Sequence, residues 1–358
     1  MLMPEPIRVP PQLPRKLPAP IAFVGEAPST EELEELQPLV GPSGRLFNAM
    51  LRTAGLDRED YLVTNVFDEK LPNNNVAAWT APMVDARAGG FADLPPLGSR
   101  GFLRPDRRHH LSRLRDELVA AAPRVIVPLG GTALWAFTGS DQITAARGAV
   151  AAAKFILPGA KLLPTFHPMA VQHQWKFFAV VVGDFIKAQR EAERGPEVIL
   201  PKRELTLEPT LADIRAYLPR LLASDLLSVD IETGWGQITN IGFAPDAEHS
   251  LNVPFLDRRV PNRSYWKSVE EEVAAWDLVR EILASPTPKV GQNAGAFDAY
   301  VLLRLMRMPV RNLRQDTRLL HHALNPELPK SLAFMGNSYA SQGEWKSWGK
   351  RQKEKRDD

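Results

Sequence analysis

The sequence predicts an α/β protein of two domains, and three observations carry that expectation. At 358 residues the chain is long for a single core, and two domains of roughly 150 to 180 residues are the natural division. Short apolar runs alternate with helix-patterned segments in two successive blocks, the pattern of helices packed on mostly parallel sheets. Between the blocks, the charged helical stretch Lys176 to Arg194 is broken by Gly195-Pro196.

Residues 1–20 hold seven prolines. Proline removes a backbone donor and disfavours helix interiors, so this stretch is expected as an extended, Pro-rich leader. The first domain is expected over 21–190. Ile21-Ala-Phe-Val-Gly25, Tyr61-Leu-Val-Thr-Asn65 and Val125-Ile-Val-Pro-Leu-Gly130 read as buried strands. Helical patterns lie near 43–54, 108–121 and 132–138. The stretch from Glu69 to Arg104 is a long loop rich in Gly, Pro and Asn, and loops of that length are usually functional or mobile. Residues 191–206 are expected as a linker, with Glu197 to Leu207 able to form a leading strand. The second domain, 207–358, is expected to carry strands near 226–232, 237–244 and 249–254, then helices near 269–284, 296–307 and 316–323. Its last fifteen residues contain six Lys or Arg and no apolar stripe, so a fraying tail is expected there.

Composition narrows the function. With 44% hydrophobic and 24% charged residues the chain is globular. A net charge of +2 means that any nucleic-acid footprint is a local patch. The absence of cysteine excludes disulfides, thiolate metal sites and an iron–sulfur cluster. The longest apolar run, Phe177 to Val182, is far short of a membrane span. No signal-peptide pattern opens the chain. A cytoplasmic location, in a bacterium or a phage-infected cell, is the expectation.

The first block carries chemistry at its loops. Gly25-Glu26-Ala27-Pro28 follows the first strand, where α/β sheets place ligands. Leu39-Val-Gly41-Pro-Ser43-Gly44 follows, with glycines and free N–H groups suited to a phosphate or carbonyl oxygen. His167 lies in Pro164-Thr-Phe-His-Pro-Met-Ala170, again after a strand. Singly these read as turn chemistry. Together, a Glu, a Gly-rich helix start and a loop His can bind a base and stabilise an anionic leaving group.

Their order resembles the uracil-DNA glycosylase superfamily, in particular the branch whose members usually carry an iron–sulfur cluster. Six motifs correspond in sequence: Gly25 to Pro28, Pro38 to Gly44, Thr64-Asn65, Val125 to Gly130, Arg147-Gly148 and His167-Pro168. The resemblance covers about 21–190 and implies an α/β/α sandwich. It also implies that Glu26 orients or activates the attacking water, that Asn65 reads the uracil edge, and that His167 stabilises the oxygen of the departing anion. Gly25, Ala27, Pro28, Leu39, Gly41, Ser43 and Gly44 would line the substrate. The nucleotide would be flipped out at a cost of a few kcal/mol, which favours single-stranded or mismatched uracil. Three features depart from the family. The cluster cysteines are absent, so no iron–sulfur cluster is expected. Leu39 stands where an aromatic usually stacks on the base, an interaction worth about 1–3 kcal/mol. Ala27 replaces the aspartate of the most active branch.

The second block opens on Leu227-Ser-Val-Asp-Ile-Glu-Thr233 and is answered by Val290-Gly-Gln-Asn-Ala-Gly-Ala-Phe-Asp298. Asp230 and Glu232 are two apart, so on a strand both carboxylates face one way while Val229 and Ile231 face a core. Two carboxylates on one face repel unless a cation lies between them, and Asp298 offers a third oxygen ligand. Asp230, Glu232, Asn293, Phe297 and Asp298 resemble the first motifs of the 3′–5′ proofreading exonuclease domain of family A DNA polymerases, a DEDD-type nuclease with a ribonuclease H-like fold. The likeness continues through Asp316-Thr317, Asn325-Pro-Glu and Ser331-Leu-Ala and covers about 205–348. It implies two-metal hydrolysis with Mg²⁺ or Mn²⁺ held by Asp230, Glu232 and Asp298. Asn293 would fix backbone or substrate, and Phe297 reads as core. The family's fourth carboxylate, four residues after a Tyr or His, is missing. Tyr300, His321, His322 and Tyr339 are followed at that distance by Arg304, Asn325, Pro326 and Gly343.

Three functions stay open on sequence. One is an enzyme joining uracil excision to a metal-dependent 3′–5′ exonuclease. Another is a nuclease with a non-catalytic, DNA-binding first domain, for which Leu39 speaks. The third is a non-catalytic polymerase accessory, for which the missing carboxylate speaks. The expected partner is DNA, as single strands or 3′ ends, with a DNA polymerase as a candidate second partner and no membrane. Arg104 to Arg115, with five arginines and two histidines, is either a solvated helix face or a phosphate-contacting ridge.

Overall fold

The computed structural model describes residues 6–199 and 202–340. They divide into two compact units, one formed by 6–199 with 333–340 and the other by 202–332. The basic tail, Trp345, Trp348 and Gly343 lie outside the described residues.

The first unit runs β1 (Ile21–Gly25), α1 (Thr30–Glu35), α2 (Pro42–Thr53), β2 (Leu62–Asn65), β3 (Thr80–Ala81), α3 (Met83–Ala88), β4 (Phe102–Leu103) and α4 (His109–Ala121). It continues with β5 (Val125–Pro128), α5 (Gly131–Thr138), α6 (Ile143–Ala146), β6 (Ala151–Ala152), β7 (Lys161–Leu162), α7 (Pro168–His173) and α8 (Phe178–Glu193). The main sheet has the order β2-β1-β5-β7-β6, parallel except for β6. β1 has β2 on one side and β5 on the other, so the strand order reverses at β1, where α/β sheets bind ligands at the carboxyl ends.

Helices cover both faces. Ala22, Val24, Leu62, Ile126 and Phe137 bury one face in a core that includes Leu114 and Leu118 of α4. The alternate residue Phe23 points the other way, edge-on to Phe47 of α2 at 5.1 Å and to Phe185 of α8 at 5.0 Å. This is the α/β/α layering that the sequence implied. The Pro-rich leader is partly paired: Gln12 and Val63 exchange both backbone hydrogen bonds, at 2.9 and 3.0 Å, and Val9 is buried. The long Glu69–Arg104 stretch is not featureless, since it contains α3 and the antiparallel β3–β4 pair.

Within this unit Arg147 is a buried structural cation. It forms two bonds to Asp184, of 3.1 and 2.5 Å, and one to Ser338 Oγ of 2.8 Å. Residues 333–340 are also held by Lys187, which donates to the carbonyls of Asn337 and Ser338.

The second unit runs β8 (Glu204–Thr206), α9 (Leu211–Leu222), β9 (Leu227–Gly234), β10 (Gln237–Ala244), β11 (His249–Pro254), α10 (Val269–Ala284), β12 (Lys289–Gly291), α11 (Asp298–Met306), β13 (Leu313–Asp316) and α12 (Thr317–Leu324). A short helix α13 (Leu332–Met335) spans the boundary with residues 333–340. The sheet order is β13-β12-β9-β10-β11-β8. β10 is antiparallel to β9 and β11, while β12 and β13 run parallel to β9. This mixed sheet, fed by a β9–β10–β11 meander, agrees with the ribonuclease H-like fold expected from sequence. The core joins Val229, Ile231, Ile241 and Phe243 of the sheet to Val279, Ile282 and Leu283 of α10. A reciprocal capping box between Thr210 and Asp213 starts α9. Among the described residues no helix is long and apolar enough to cross a membrane.

Candidate functional site

The first candidate site gathers at the carboxyl ends of the parallel strands. Gly25 lies in register with Asn65. A Cβ at Gly25 would sit 2.2 Å from Asn65 Oδ1, so any larger residue there would displace the Asn65 amide. Beyond the strands the two chains stay paired, with Val66 N and Phe67 N donating to the carbonyls of Gly25 and Glu26, both at 2.9 Å. Pro28 is buried, and Ala27 packs half-buried against the core.

Glu26 is half-buried. Desolvation raises its pKa, against the opposing pull of the Thr132 hydroxyl and the Arg100 charge. Asn65 is buried, and its Nδ2 donates to Glu32 Oε2 at 3.2 Å. Its Oδ1 is buried without a hydrogen-bond partner, and such an acceptor is costly unless a donor reaches it. Glu32, 2% exposed, is a residue that the sequence reading missed. Burial raises its pKa, while hydrogen bonds from the Leu39 backbone and the Asn65 amide favour its ionised form. Nothing in Thr30-Glu-Glu32-Leu-Glu-Glu35 marks the buried acid among its exposed neighbours; one signal was available, because Ser29 caps α1 and Glu32 sits at its third position.

Leu39 is buried with φ of 51°, and its carbonyl accepts from Arg58 at 2.7 Å. A Cβ on Gly44 would meet that carbonyl at 2.1 Å, which accounts for the glycine. Gly41 caps α2 and passes close to Ser29 and Glu31, and Ser43 is buried in the first turn.

His167 caps α7, with its Nδ1 accepting from Met169 N at 3.2 Å. The ring proton must then reside on Nε2, which is a donor. Desolvation lowers the pKa of His167 to about 4, so the ring is neutral at pH 7. Gly130, with φ of 90°, lets the chain pass next to the His167 Cβ, and Thr132 follows two residues later. A carboxyl, an unpartnered amide oxygen and a neutral imidazole donor thus share one edge of the sheet.

The arginines of the Arg104–Arg115 stretch are largely engaged within the fold. Arg108 pairs with Asp93, and Arg107 with Glu69 and Asp106. Arg113 donates to the Asn65 and Val66 carbonyls and pairs with Glu117.

The second candidate site lies on β9. Val229 and Ile231 are buried while Asp230 and Glu232 are exposed, so both carboxylates share one face as the i, i+2 spacing requires. Asp298 opens α11 and is buried, with its Oδ1 accepting from Ile231 N at 2.9 Å. Its pKa is pushed up to about 6, first by desolvation and further by the charges of Asp230 and Asp316. That strain fits a hard divalent cation, which oxygen donors bind and whose charge would relieve the repulsion. Among the described residues, Asp230, Glu232 and Asp298 do not form a cluster whose ligand atoms all lie within 4.8 Å of one another.

Asn293 adopts φ of 60°. Its N–H donates to Asp316 Oδ1 at 2.9 Å, and its side-chain oxygen accepts from Arg318 at 2.8 Å. Asp316 also caps α12. Phe297, read as core, is 42% exposed instead, because it precedes α11 at a turn rather than on the helix's apolar face.

Residues 13–186 match the uracil DNA glycosylase superfamily. The chain is similar to the type-4 uracil-DNA glycosylase of Thermotoga maritima, at 34% identity over 150 residues that cover 41% of this chain and 64% of that protein. It thus spans slightly under two thirds of that relative's length. It is also similar to the type-4 uracil-DNA glycosylase of Sulfurisphaera tokodaii, at 28% identity over 191 residues, covering 52% of this chain and 73% of that one. Similar solved structures include Escherichia coli RNase D, an exoribonuclease involved in structured RNA processing, with 20% identity and a TM-score of 0.29 over 41% of this chain and 35% of that one. Another is the EXD2 exonuclease domain soaked in Mn and GMP, with 16% identity and a TM-score of 0.25 over 40% of this chain and 75% of that one. The N-terminal region therefore resembles the uracil DNA glycosylase superfamily, as its ordered motifs implied.

Proposed function

We propose that the first unit, whose residues 13–186 match the uracil DNA glycosylase superfamily, hydrolyses the N-glycosidic bond of uracil in DNA, and that the second unit is a metal-dependent 3′–5′ exonuclease. The observation that carries the first half is the buried, unpartnered Oδ1 of Asn65. An imide N–H is the donor that this acceptor lacks, and uracil has one where cytosine has none. In this reading the Asn65 amide fixes a flipped uracil. Glu26 orients a water toward the sugar C1′. The C1′–N1 bond breaks, its electron pair leaves with uracil, the water oxygen adds to C1′, and the water's proton passes to the Glu26 carboxylate. His167, neutral and donating from Nε2, stabilises the oxygen of the departing anion, a kind of contact worth about 2.7–4 kcal/mol in the transition state.

In the second unit Asp230, Glu232 and Asp298 would hold Mg²⁺ or Mn²⁺, and a cation bound there supplies water activation and stabilises the leaving 3′ oxygen. The chain's own contribution is positional. Ile231 N–H fixes Asp298 beside the strand that carries the other two acids. Asp316 and Arg318 lock the loop around Asn293. The substrate would be DNA, as single strands or 3′ ends.

A 5′-labelled single strand containing one uracil tests both halves. An alkali-dependent break at uracil, present in EDTA, is expected from the first unit. A ladder shortening from the 3′ end, present in Mg²⁺ or Mn²⁺, is expected from the second. Intact uracil DNA after alkali in every lane would refute the glycosylase, and the absence of any metal-dependent ladder would refute the nuclease.

A further inference from the structure

Four residues along the chain from Asn65, Glu69 joins His109 and His110 in bringing one carboxylate oxygen and one nitrogen of each imidazole within 4.8 Å of one another. We propose that these three residues form a transition-metal site of the Zn²⁺ class, tying the segment after β2 to the start of α4.

The hydrogen bonds around the two rings support this. His110 is fully buried, and its Nδ1 lies 2.6 Å from Asp68 Oδ1. A carboxylate is an acceptor, so that nitrogen carries the proton and leaves the lone pair on Nε2. His110 Nε2 is buried and has no hydrogen-bond partner. His109 is arranged in the same way. Its Nδ1 lies 2.9 Å from the Asp106 carbonyl and is therefore the donor, which leaves the Nε2 lone pair 3.8 Å from Glu69 Oε1. In both rings one nitrogen is committed to an oxygen acceptor and the other is left basic. Metal-binding histidines are oriented by such an outer carboxylate or carbonyl. The rings are fixed in place, too: their centroids are 4.0 Å apart, and His110 stacks on Trp79 at 5.1 Å with 9° between the planes.

Two imidazole nitrogens and one carboxylate suit a borderline cation with a fourth position left for water. They suit Mg²⁺ poorly, because that ion prefers oxygen donors. Arg8 and Arg107 compete for the carboxylate, at 3.2 and 3.5 Å. Both are partly exposed, 54% and 32%, on long side chains that can move to solvent. Glu69 itself is 4% exposed, a placement that acids take when they are paired.

The test is equilibrium dialysis of the full chain against Zn²⁺, with Asp230→Asn/Glu232→Gln as a parallel variant to separate the nuclease carboxylates. Wild type is expected to bind one Zn²⁺ that the Asp230→Asn/Glu232→Gln chain keeps and that both His109→Ala and Glu69→Gln lose. His109 is 43% exposed in its side chain, so that variant should keep its fold, which far-ultraviolet circular dichroism checks. Arg8→Ala should tighten binding by about twofold to fivefold, the scale of a removed half-exposed charge. Zn²⁺ uptake that His109→Ala and Glu69→Gln leave unchanged, or no uptake by wild type, would overturn the proposal.

Discussion

The two candidate sites solve the problem of buried charge in opposite ways. In the first unit burial raises the pKa of Glu26 and Glu32, but the chain itself opposes it: Arg100 and Thr132 act on Glu26, and Glu32 takes hydrogen bonds from the Leu39 backbone and Asn65, while burial keeps His167 neutral. In the second unit Asp298 is crowded by Asp230 and Asp316, and no cationic side chain is among the causes that set its pKa. The first arrangement has opposing hydrogen bonds and charge supplied by the chain itself. The second is left under electrostatic strain that a divalent cation would release. One chain therefore carries a candidate site whose burial is opposed by its own donors and another whose carboxylates crowd one another.

The largest expected effect is the response of the nuclease to chelation, because there the ion would do the chemistry, whereas Zn²⁺ at Glu69, His109 and His110 would only tie two segments together. EDTA should abolish 3′ shortening of a labelled strand and leave uracil excision at its original rate. Excision that fell with the nuclease would erase the contrast, since it would mean that the first pocket also depends on an ion. Next is His167→Ala, expected to lower the excision kcat by about 10²–10³-fold, the effect of removing one preorganised donor from a developing anion. Nuclease activity should not change. The wild-type pH profile sharpens this point. His167 stays neutral above about pH 4, whereas Glu26 protonates at a higher pH than an ordinary glutamate. The acid limb of excision should therefore follow the carboxyl, and His167→Gln should leave its midpoint in place.

The third test exploits the strain directly. Asp298 has a folded pKa of about 6, above its ordinary 3.8. A raised carboxyl pKa means that the fold favours the protonated form. The ionised form costs stability above about pH 6, and that cost disappears as the pH falls through 6 toward 4. Asp298→Asn keeps an oxygen for the Ile231 N–H and removes the charge. In metal-free buffer it should stabilise the second unit by about 2 kcal/mol at pH 8 and by nothing at pH 4. The nuclease should be lost in the same variant. Urea unfolding at the two pH values measures the gain; a variant less stable than wild type at pH 8 would show that Asp298 is comfortable as an anion.

Legibility differed between the sites for physical reasons. The β9 face could be read from Asp230 and Glu232 because a strand's period of two separates acids from Val229 and Ile231 without help from the rest of the fold. In the first unit the family resemblance was readable through the order of the motifs, and the strands end where those motifs begin. The residues that tune the site were not. Glu32 lies among four glutamates in α1, and its burial comes from packing that local sequence does not encode. β12 and β13 are three and four residues long, and Leu313-Arg-Gln-Asp316 has too little apolar content to read as a strand. Phe297 misled because an aromatic next to a helix start is core by composition and exposed here by geometry.

The smallest predicted effect separates a positioning role from a catalytic one. Glu32 touches no expected reacting atom, yet its carboxylate serves three partners, the Asn65 amide and the Leu39 and Ser29 backbones. Glu32→Gln preserves shape but retains one acceptor oxygen, so an N–H of the new amide must face a donor. One of Asn65, Leu39 and Ser29 then loses its acceptor, and excision responds where that one is Asn65. The loss of one hydrogen bond to a charged acceptor in favour of a neutral one is worth about 1 kcal/mol, or roughly fivefold in excision. The drop should fall mainly on KM if Asn65 holds the base in the ground state, and on kcat if it tightens only as the bond breaks. In either case the acid limb set by Glu26 should stay where it is. A shift of that limb in Glu32→Gln would instead make Glu32 part of the proton chemistry and end the distinction between the acid that orients water and the acid that orients the amide.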